Sequence, residues 1–371
     1  MNAGIIGATG YAGAELTRLL SGHPKIEKLF LSSVSFEGEK IEDIYPNFLK
    51  KIEGKLIKAD EVIASSDIVF SALPHAVGES FAKACQEKKI HFIDLSADFR
   101  FDDDEKVYSA WYGKNYQFPE IHKKSIYGLP EMNRQKINDA LCQPLVIGNP
   151  GCYPTGATLG VLPAIVKKLA DYKRSPIIVD AASGASGGGR EPSRSFHYSE
   201  CADSTAPYKV ASHRHSPEIA RNFSQIAQRT GAQSPQVIFT PHLVPMIRGI
   251  LSTIYIPLSQ EFCVTSENFN MPPSEEIEAK TAEIRGIYAD FYKNEPFVRV
   301  LPEGLTASTN RVRQSNFCDI SVHVDINGST LIIVTAIDNM IKGAAGQAVQ
   351  NMNILSGFEE TMGLDAIPML F

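Results

Sequence analysis

A short apolar strand, a glycine-rich turn and a helix open the chain, and this pattern constrains the fold more than any other feature. The strand is predicted over Ala3–Ile6, the turn over Gly7–Gly13 and the helix over Ala14–Ser21. Glycines let the backbone turn tightly and let a phosphate approach the free N–H groups of a helix N-terminus. The turn therefore predicts a dinucleotide site. Its G-x-x-G-x-x-G spacing differs from the usual G-x-G-x-x-G, so a turn without a ligand is the alternative.

Apolar and helical segments alternate through the rest of the first 150 residues. Further strands are predicted at Leu29–Ser33, Ile68–Leu73, Ile90–Leu95 and Val146–Gly148, with a helix at Val77–Lys88. Such alternation is typical of an α/β fold with a parallel, doubly wound sheet.

Beyond residue 151 the pattern changes to one long helix followed by strand-rich segments. The helix is predicted over Thr155–Leu169, and a last helix over Ala344–Gly357. The predicted strands are Ile177–Ala181, Gln236–Thr240, Ile250–Pro257, Phe297–Val300, Cys318–Ile326 and Thr330–Ile337. The polar segment Glu261–Ser274 predicts a surface insertion. Because 371 residues exceed the usual ~100–200 of one domain, we expect two domains.

Composition and charge exclude several classes of protein. A net charge of −6 without a basic stripe argues against a nucleic-acid partner. No apolar run reaches the ~18 residues of a membrane span, and the first residues lack the basic region of a signal peptide. The six cysteines include no C-x-x-C pair, which argues against a zinc site or a disulfide framework. We therefore expect a cytoplasmic protein with reduced thiols and no membrane partner.

The end of the second predicted strand bears on which dinucleotide is bound. NAD-binding proteins usually carry an acid there that holds the ribose 2′-OH. This strand instead ends in Ser32-Ser33-Val34-Ser35, with Glu37 beyond and no arginine nearby in the sequence. The hydroxyls favour the 2′-phosphate of NADP, although a plain polar turn would also explain them.

The sequence Gly148–Gly156, GNPGCYPTG, places Cys152 in a tight turn that runs directly into a helix. A thiolate near a helix N-terminus is stabilised, which lowers the thiol pKa and makes a nucleophile at neutral pH. The sequence therefore predicts Cys152 as a catalytic nucleophile.

Two histidines precede another predicted helix, with Ser216 as N-cap and Pro217 at its first position. Either His213 or His215 would serve as a proton carrier for a thiol. A pair of histidines also suits a metal, but no further ligands stand at a recognisable spacing, so we expect no metal.

The segment Ser183–Arg190, SGASGGGR, combines backbone donors with one cation and predicts an anion site, with a flexible surface loop as the alternative. Arg248 is a further candidate anion ligand. His75 follows a strand end and is predicted to line the cofactor cleft.

Taken together these motifs resemble the N-acetyl-gamma-glutamyl-phosphate reductases, the arginine-pathway members of the aspartate-semialdehyde dehydrogenase group. The resemblance covers nearly the whole chain. The matching stretches are GATGYAGAEL (7–16), SALPH (71–75), DLSADFR (94–100), YGLPE (127–131), NPGCYPT (149–155), SGASGGGR (183–190), HRHSPEI (213–219) and KGAAGQAVQNMN (342–353). NPGCYPT with HRHSPEI is highly specific, whereas the glycine turn alone is not.

The resemblance implies a Rossmann-type NADP-binding domain at 1–151, completed by a C-terminal helix within 341–371. It implies an α+β catalytic and dimerisation domain with a mixed sheet at 152–340. Cys152 would be the nucleophile, and His213 or His215 the acid–base group. The implied reaction is NADPH-dependent reduction of N-acetyl-L-glutamyl 5-phosphate to the semialdehyde through a thioester, in a homo-oligomer (dimer or tetramer). The segment between Tyr255 and Phe297 departs from the family pattern.

We assign the remaining site residues accordingly. The predicted cofactor contacts are Gly7, Thr9, Gly10, Tyr11, Ala12, Gly13, Ser33, Ser35, Pro74, His75, Ser183, Gly184 and Asn339. The predicted substrate contacts are Asn149, Ser186, Arg190, Glu218 and Arg248. Two alternatives stay open: a reductase of aspartyl or N-acyl-aminoadipyl phosphate, and a non-catalytic dinucleotide sensor.

Overall fold

A computed structural model describes residues 1–101, 104–141, 143–173, 175–264 and 274–370. The chain divides into two compact units. The first comprises Met1–Gly151, Gly188–Glu191 and Met340–Ile367. The second comprises Cys152–Gly187, Pro192–Asn339 and the last residues from Pro368.

The described strands, in chain order, are β1 (Asn2–Ile6), β2 (Lys28–Ser32), β3 (Ile68–Ser71), β4 (His91–Asp94), β5 (Ile126–Tyr127), β6 (Val146–Gly148), β7 (Ile177–Ser183), β8 (Ala206–Pro207), β9 (Val237–Leu243), β10 (Ile250–Pro257), β11 (Val298–Val300), β12 (Cys318–Val324) and β13 (Thr330–Ile337). The described helices are α1 (Tyr11–Ser21), α2 (Ile41–Ile44), α3 (Ala59–Ser65), α4 (Gly78–Glu87), α5 (Glu105–Tyr112), α6 (Pro119–His122), α7 (Pro130–Asp139), α8 (Cys152–Val166), α9 (Tyr198–Cys201), α10 (Ser216–Arg229), α11 (Ser274–Tyr292) and α12 (Gly346–Leu355).

The first unit is built on a sheet with the strand order β2-β1-β3-β4-β6-β5, in which the described pairs are parallel. Strand β1 pairs with β2 and β3, so that Ile6 lies beside both Ser32 and Ser71. The strand order reverses at this point, and ligands of doubly wound sheets bind outside the carboxyl edge there. The loops after β1, β2 and β3 therefore meet where a dinucleotide is expected.

Helix α12 belongs to the first unit and is buried by polar contacts as well as apolar ones. Asn351 donates to the carbonyl of Gly128 at 2.8 Å, and Asn353 donates to the carbonyls of Glu360 and Met362. The Lys342 ammonium, fully buried, lies 2.7 Å from the Glu131 carboxylate. A buried charge persists only when it is paired, so this ion pair ties the C-terminal segment to α7.

The second unit is built on a mixed sheet of strand order β11-β12-β13-β10-β7-β9-β8. Its β7–β9 and β11–β12 pairs are parallel and the other described pairs are antiparallel. Alternate residues of β7 are buried and exposed, Val179 being buried and Ile178 exposed. One face of the sheet is covered by α8, and the opposite face keeps a row of exposed side chains.

Helix α8 is apolar on all sides, which is typical of a helix enclosed by other elements. It lies close to β10 and β13 because Gly160 has no side chain: a Cβ there would lie 2.7 Å from the side chain of Ile254. Pro163 has no N–H for the carbonyl of Leu159 one turn earlier. The Tyr292 hydroxyl of α11 donates to that carbonyl at 2.5 Å, so α11 satisfies an acceptor that Pro163 leaves unbonded.

The predicted fold class is confirmed: a doubly wound parallel sheet and a second unit with a mixed sheet. Helix α8 begins at Cys152 rather than at the predicted Thr155, which places the thiol in the first turn. Helix α11 was not predicted from the sequence, because its buried residues are only Ile284, Tyr288 and Tyr292. Most of the predicted insertion Glu261–Ser274 lies outside the described residues. No described helix has both the length and the apolar character to cross a membrane.

Candidate active site

The glycine turn of the first unit leaves room for an anion at the start of α1. Gly7 has a φ of +89°, and a Cβ on Gly13 would lie 2.2 Å from the Gly7 carbonyl oxygen, so both positions require glycine. The N-cap of α1 is Gly10, with no side-chain hydrogen bond to the helix and no acidic residue in the first turn. The N–H groups of this turn and the helix dipole therefore suit a pyrophosphate.

The loop after β2 packs against the same turn. The backbone N–H groups of Gly7 and Ala8 both donate to the carbonyl of Ser32, at 3.0 and 2.9 Å. The hydroxyls of Thr9 and Ser33 lie 2.7 Å apart, and both residues are buried. Ser35 is exposed beyond them. The structure thus brings predicted cofactor residues from two loops together at the end of β2.

Arg190 lies on this cofactor turn. Its Nη1 donates to the Thr9 carbonyl at 3.2 Å, and its guanidinium lies 5.3 Å from the ring centres of both Phe36 and Tyr45. The Tyr45 hydroxyl donates to the same Thr9 carbonyl at 2.9 Å. The substrate role predicted for Arg190 stays a prediction.

The loop after β3, which contains Pro74 and His75, is held by Asp98. The Asp98 carboxylate accepts backbone N–H groups from Ala76 and Gly78 at the start of α4, at 2.6 and 2.9 Å. His75 Nδ1 accepts the N–H of Ala97 at 2.9 Å, which orients the imidazole. Burial, and after it the charge of Asp98, raises the pKa of the enclosed Asp94 carboxyl.

Asn149 is engaged within the first unit. Its amide nitrogen donates to the carbonyl of Ala344 at 3.0 Å, and its amide oxygen accepts from Asn351 at 3.2 Å. Since both ends of this buried amide already have partners, its position favours a structural role over the predicted substrate contact.

In the second unit, a cluster of aromatic rings and imidazoles surrounds the start of α8. Cys152 is the first residue of that helix and is half-buried. The next residue, Tyr153, has its hydroxyl 2.9 Å from that of Tyr208 and its ring 5.5 Å from that of His213. Burial raises the pKa of Tyr208 to about 12, although its hydrogen bond with Tyr153 opposes the increase.

The two predicted histidines occupy different environments in this cluster. His213 is buried, and its ring lies 5.4 Å from those of Tyr208 and Phe239. Burial, followed by the charges of Lys209 and Arg214, lowers the pKa of His213 to about 4. His215 is half-buried, with its ring 5.9 Å from that of Tyr153. Helix α10 begins at Ser216 with His215 as its N-cap, one position before the predicted cap.

The glycine-rich segment after β7 is bonded mainly to its own unit. The N–H groups of Gly184, Ala185 and Ser186 donate to the carbonyls of Gly249, Met246 and Ile247. These three N–H groups therefore already have acceptors, and the anion site predicted for the segment stays a prediction. Asn339 completes the arrangement, since it accepts from the Gly249 N–H at 2.7 Å and donates to the Ser186 hydroxyl at 3.0 Å.

The remaining predicted substrate contacts of this unit have defined positions. Arg248 donates through Nε and Nη2 to the buried Asp338 carboxylate, at 3.3 and 3.1 Å. Glu218 is fully buried in the first turn of α10, and Ser183 is buried at the end of β7. Among the described residues, no group of three or more His, Cys, Asp or Glu side chains could hold a metal ion.

Sequence reasoning missed Tyr153 and Tyr208. Tyr153 is adjacent to Cys152 in the NPGCYPT motif, so its neighbour was the available signal. Tyr208 follows the two-residue strand β8, and no local pattern marks it.

The chain matches models of two semialdehyde dehydrogenase domains. The NAD-binding domain matches residues 2–140 and the dimerisation domain matches residues 152–339. The N-acetyl-gamma-glutamyl-phosphate reductase of Clostridium beijerinckii is 48% identical over 99% of both chains. That of Thermoanaerobacter pseudethanolicus is 42% identical over 100% of this chain and 99% of its own.

The chain belongs to the N-acetyl-gamma-glutamyl-phosphate reductase family. The predicted resemblance is thereby confirmed. The aspartate semialdehyde dehydrogenase II of Vibrio cholerae shares the fold of this reductase family member, with a TM-score of 0.67 at 16% identity over 96% of this chain and 98% of its own. The Candida albicans aspartate semialdehyde dehydrogenase with NADP has a TM-score of 0.62 at 18% identity, over 96% of this chain and 98% of its own.

Proposed function

We propose that this protein catalyses the NADPH-dependent reduction of N-acetyl-L-glutamyl 5-phosphate to N-acetyl-L-glutamate 5-semialdehyde and phosphate, a step of arginine biosynthesis. The name shared by its full-length relatives supports the choice of substrate. The observation that carries the chemistry is the position of Cys152, at the first residue of α8 and beside a cluster of tyrosines and histidines.

Cys152 is the nucleophile in this proposal. The N-terminal end of α8 stabilises its thiolate. The sulfur attacks the acyl carbon, the bond from that carbon to the phosphate oxygen breaks, and inorganic phosphate leaves. A thioester on Cys152 remains. This splits one difficult substitution into two easier steps.

The turn Gly7–Gly13 would hold NADPH, which would supply the hydride that reduces the thioester carbonyl carbon. The carbon–sulfur bond of the resulting tetrahedral species then breaks, which releases the aldehyde and restores the thiolate of Cys152. A hydrogen-bond donor close to the developing oxyanion lowers the barrier of both steps. The Tyr208 hydroxyl and the imidazole of His215 are the groups of this cluster that we assign to it.

We assign acid–base work to His215 and a positioning role to His213. His213 Nδ1 accepts the backbone N–H of His215, and rings enclose the imidazole. Its pKa of about 4 leaves it neutral and a weak base at neutral pH. His215 is less enclosed and stands at the start of α10, where the neighbouring ring of His213 orients it.

The cofactor role belongs to the first unit, which we propose as the NADP-binding domain of residues 1–151 completed by 341–371. The turn Gly7–Gly13 fits a pyrophosphate, and Thr9, Ser33 and Ser35 fit the adenosine ribose. Pro74 and His75 follow the next strand along the sheet. Ser183, Gly184 and Asn339 of the second unit, 152–340, remain predicted cofactor contacts. Ser186, Glu218 and Arg248 of that unit remain predicted substrate contacts.

We also propose that the protein is a cytoplasmic homo-oligomer, a dimer or tetramer. The dimerisation-domain match supports association. The face of the second sheet that lies away from α8 has an apolar row across three strands, in which Ile178 of β7 pairs with Ile238 of β9 and with Tyr255 of β10. All three are exposed in the single chain, and a second copy packed on this face would cover them.

The activity is tested in the direction of aldehyde oxidation, with NADPH absorbance as the readout. N-acetyl-glutamate semialdehyde, aspartate semialdehyde and an N-acyl-aminoadipate semialdehyde are compared, each with and without phosphate. We expect phosphate-dependent turnover, highest for the first substrate. A preference for either of the other two aldehydes would indicate a reductase of aspartyl phosphate or of N-acyl-aminoadipyl phosphate instead. Tight NADPH binding without turnover of any of the three would support the dinucleotide sensor instead.

A further inference from the structure

The contacts of Arg190 around Thr9 form a second feature of the cofactor region, and they join residues that no single sequence motif connects. The guanidinium of Arg190 lies against the rings of Phe36 and Tyr45, each centred 5.3 Å away. Phe36 belongs to the loop after β2, Tyr45 follows α2, and Arg190 lies far along the chain from both. All of these residues belong to the first unit. Three distant parts of the chain thus meet where an adenosine ribose is expected.

The Thr9 carbonyl fixes the guanidinium in place. It accepts from Arg190 Nη1 at 3.2 Å and from the Tyr45 hydroxyl at 2.9 Å, so each of its two lone pairs has a donor. The positive charge of Arg190 also acts on Tyr45: burial raises the pKa of this tyrosine, and the guanidinium opposes that increase. A guanidinium has five N–H donors, and the Thr9 carbonyl and the Tyr45 side chain are hydrogen-bond partners of Arg190 within the protein.

The side chain of Thr9 connects this cation to the end of β2. Its hydroxyl lies 2.7 Å from that of Ser33, and both residues are buried. Arg190 itself is exposed, so a ligand can reach its side chain. The first acid after β2 in the sequence, Glu37, is also exposed. The end of β2 therefore presents hydroxyls and a stacked guanidinium, which is the chemistry of a phosphate site rather than of a ribose diol site.

We propose that Arg190 binds the 2′-phosphate of NADP and selects it against NAD. The inference rests on the proposed NADP-dependent function and replaces the substrate role predicted for this residue. Aromatic stacking and the Thr9 carbonyl hold the guanidinium in position before the nucleotide arrives, so that little side-chain freedom is lost on binding. Thr9 and Ser33 complete the site with hydroxyl groups.

The test measures nucleotide binding without substrate, by calorimetry with 2′,5′-ADP and 5′-AMP. These probes differ only in the 2′-phosphate. We expect Arg190→Ala to weaken binding of 2′,5′-ADP about 10- to 100-fold, the range for hydrogen bonds to a charged group, and to leave that of 5′-AMP within about 2-fold. Arg190→Lys keeps the charge but loses the planar fork, so an intermediate loss is expected.

Arg194→Ala is the matched control, because it removes the same charge from a side chain four positions further along the chain that is 92% exposed. It should leave both affinities unchanged. An equal loss for both probes in Arg190→Ala would mean that Arg190 only supports the turn, and unchanged binding of 2′,5′-ADP would also overturn the proposal. Thermal unfolding shows whether Arg190→Ala is folded; if it is not, the Arg190→Lys variant decides between the same outcomes.

Failure of this inference is distinguishable from failure of the proposed activity. If the unmodified protein binds 2′,5′-ADP no more tightly than 5′-AMP, the NADP preference and the role of Arg190 both fail. The thioester chemistry of Cys152 is judged separately, by the phosphate-dependent oxidation of the semialdehyde.

Discussion

His213 Nδ1 accepts the backbone N–H of His215 at 3.0 Å, and the two rings lie 4.9 Å apart. The hydrogen bond requires Nδ1 of His213 to be an acceptor, so the ring proton of the neutral imidazole is on Nε2. The two histidines, two positions apart, therefore differ in burial and in hydrogen bonding. His213 is buried and uses Nδ1 to hold the backbone of His215, whereas His215 is half-buried.

The two histidines should respond differently to substitution. General acid–base assistance is worth about 10²–10⁴-fold in rate, and we expect His215→Asn to lower kcat by that factor. His213→Asn should cause a smaller loss, because asparagine still offers an oxygen acceptor to the N–H of His215. The acid limb of the kcat/KM profile should move in the His215 variant and stay in the His213 variant. The reverse pattern would exchange the two roles, and normal turnover in both variants would place the acid–base group elsewhere.

His213 should make the stability of the protein depend on pH. Its pKa is lowered from 6.5 to about 4, so the unfolded state binds the proton more readily. The contribution of neutral His213 to the free energy of unfolding is fully present above pH 6.5. It decreases as the pH falls and is lost below about pH 4. The difference corresponds to about 3 kcal/mol. Urea unfolding should therefore show a smaller loss of stability between pH 7 and pH 4 in His213→Asn than in the unmodified protein. The control is His197→Asn, which changes an exposed histidine. An equal pH dependence of the unfolding free energy in the unmodified protein and both variants would contradict the prediction.

Cys152→Ser should abolish turnover while NADPH still binds. A serine hydroxyl at a helix N-terminus stays protonated at neutral pH and is a weak nucleophile. We therefore expect kcat to fall by about 10³-fold or more. NADPH fluorescence titration reports the binding, and the semialdehyde assay reports the turnover. Cys201→Ser changes another half-buried thiol of the same unit and should keep normal activity. Near-normal turnover of Cys152→Ser would remove the thioester mechanism.

Lys342 should be important for stability. Burial alone would raise the pKa of Glu131, but the charge of Lys342 at 2.7 Å, together with hydrogen bonds from Lys342 and Gln350, lowers it. Lys342→Met leaves a buried carboxylate without its cation and should destabilise the protein by about 3–5 kcal/mol. Adding Glu131→Gln should recover part of that loss, as measured by chemical denaturation. The partly exposed pair of Lys280 and Glu283 provides the control, since Lys280→Met should cost at most about 1 kcal/mol. A double variant no more stable than Lys342→Met would argue against this account.

Much of the fold was predictable because its signals are local. The alternation of apolar strands and helices indicated the parallel sheet. The closely spaced glycines of Gly7–Gly13 indicated the turn after β1. Helix α11 had no such signal, because its buried residues are only Ile284, Tyr288 and Tyr292 and most of its other residues are polar or exposed. Its tyrosines bind carbonyls of α8, a relationship visible only after both helices are placed.

The sequence by itself determined the family, the fold class and Cys152 as candidate nucleophile, since each depends on a short stretch of neighbouring residues. Only the tertiary structure showed that His213 and His215 differ in burial and that both ends of the Asn149 amide are hydrogen-bonded. It also showed that Arg190 donates to the carbonyl of Thr9, 181 residues away along the chain. Burial and hydrogen-bond partners decide what a polar side chain does, and in a protein of this size both are supplied by segments that are distant in sequence.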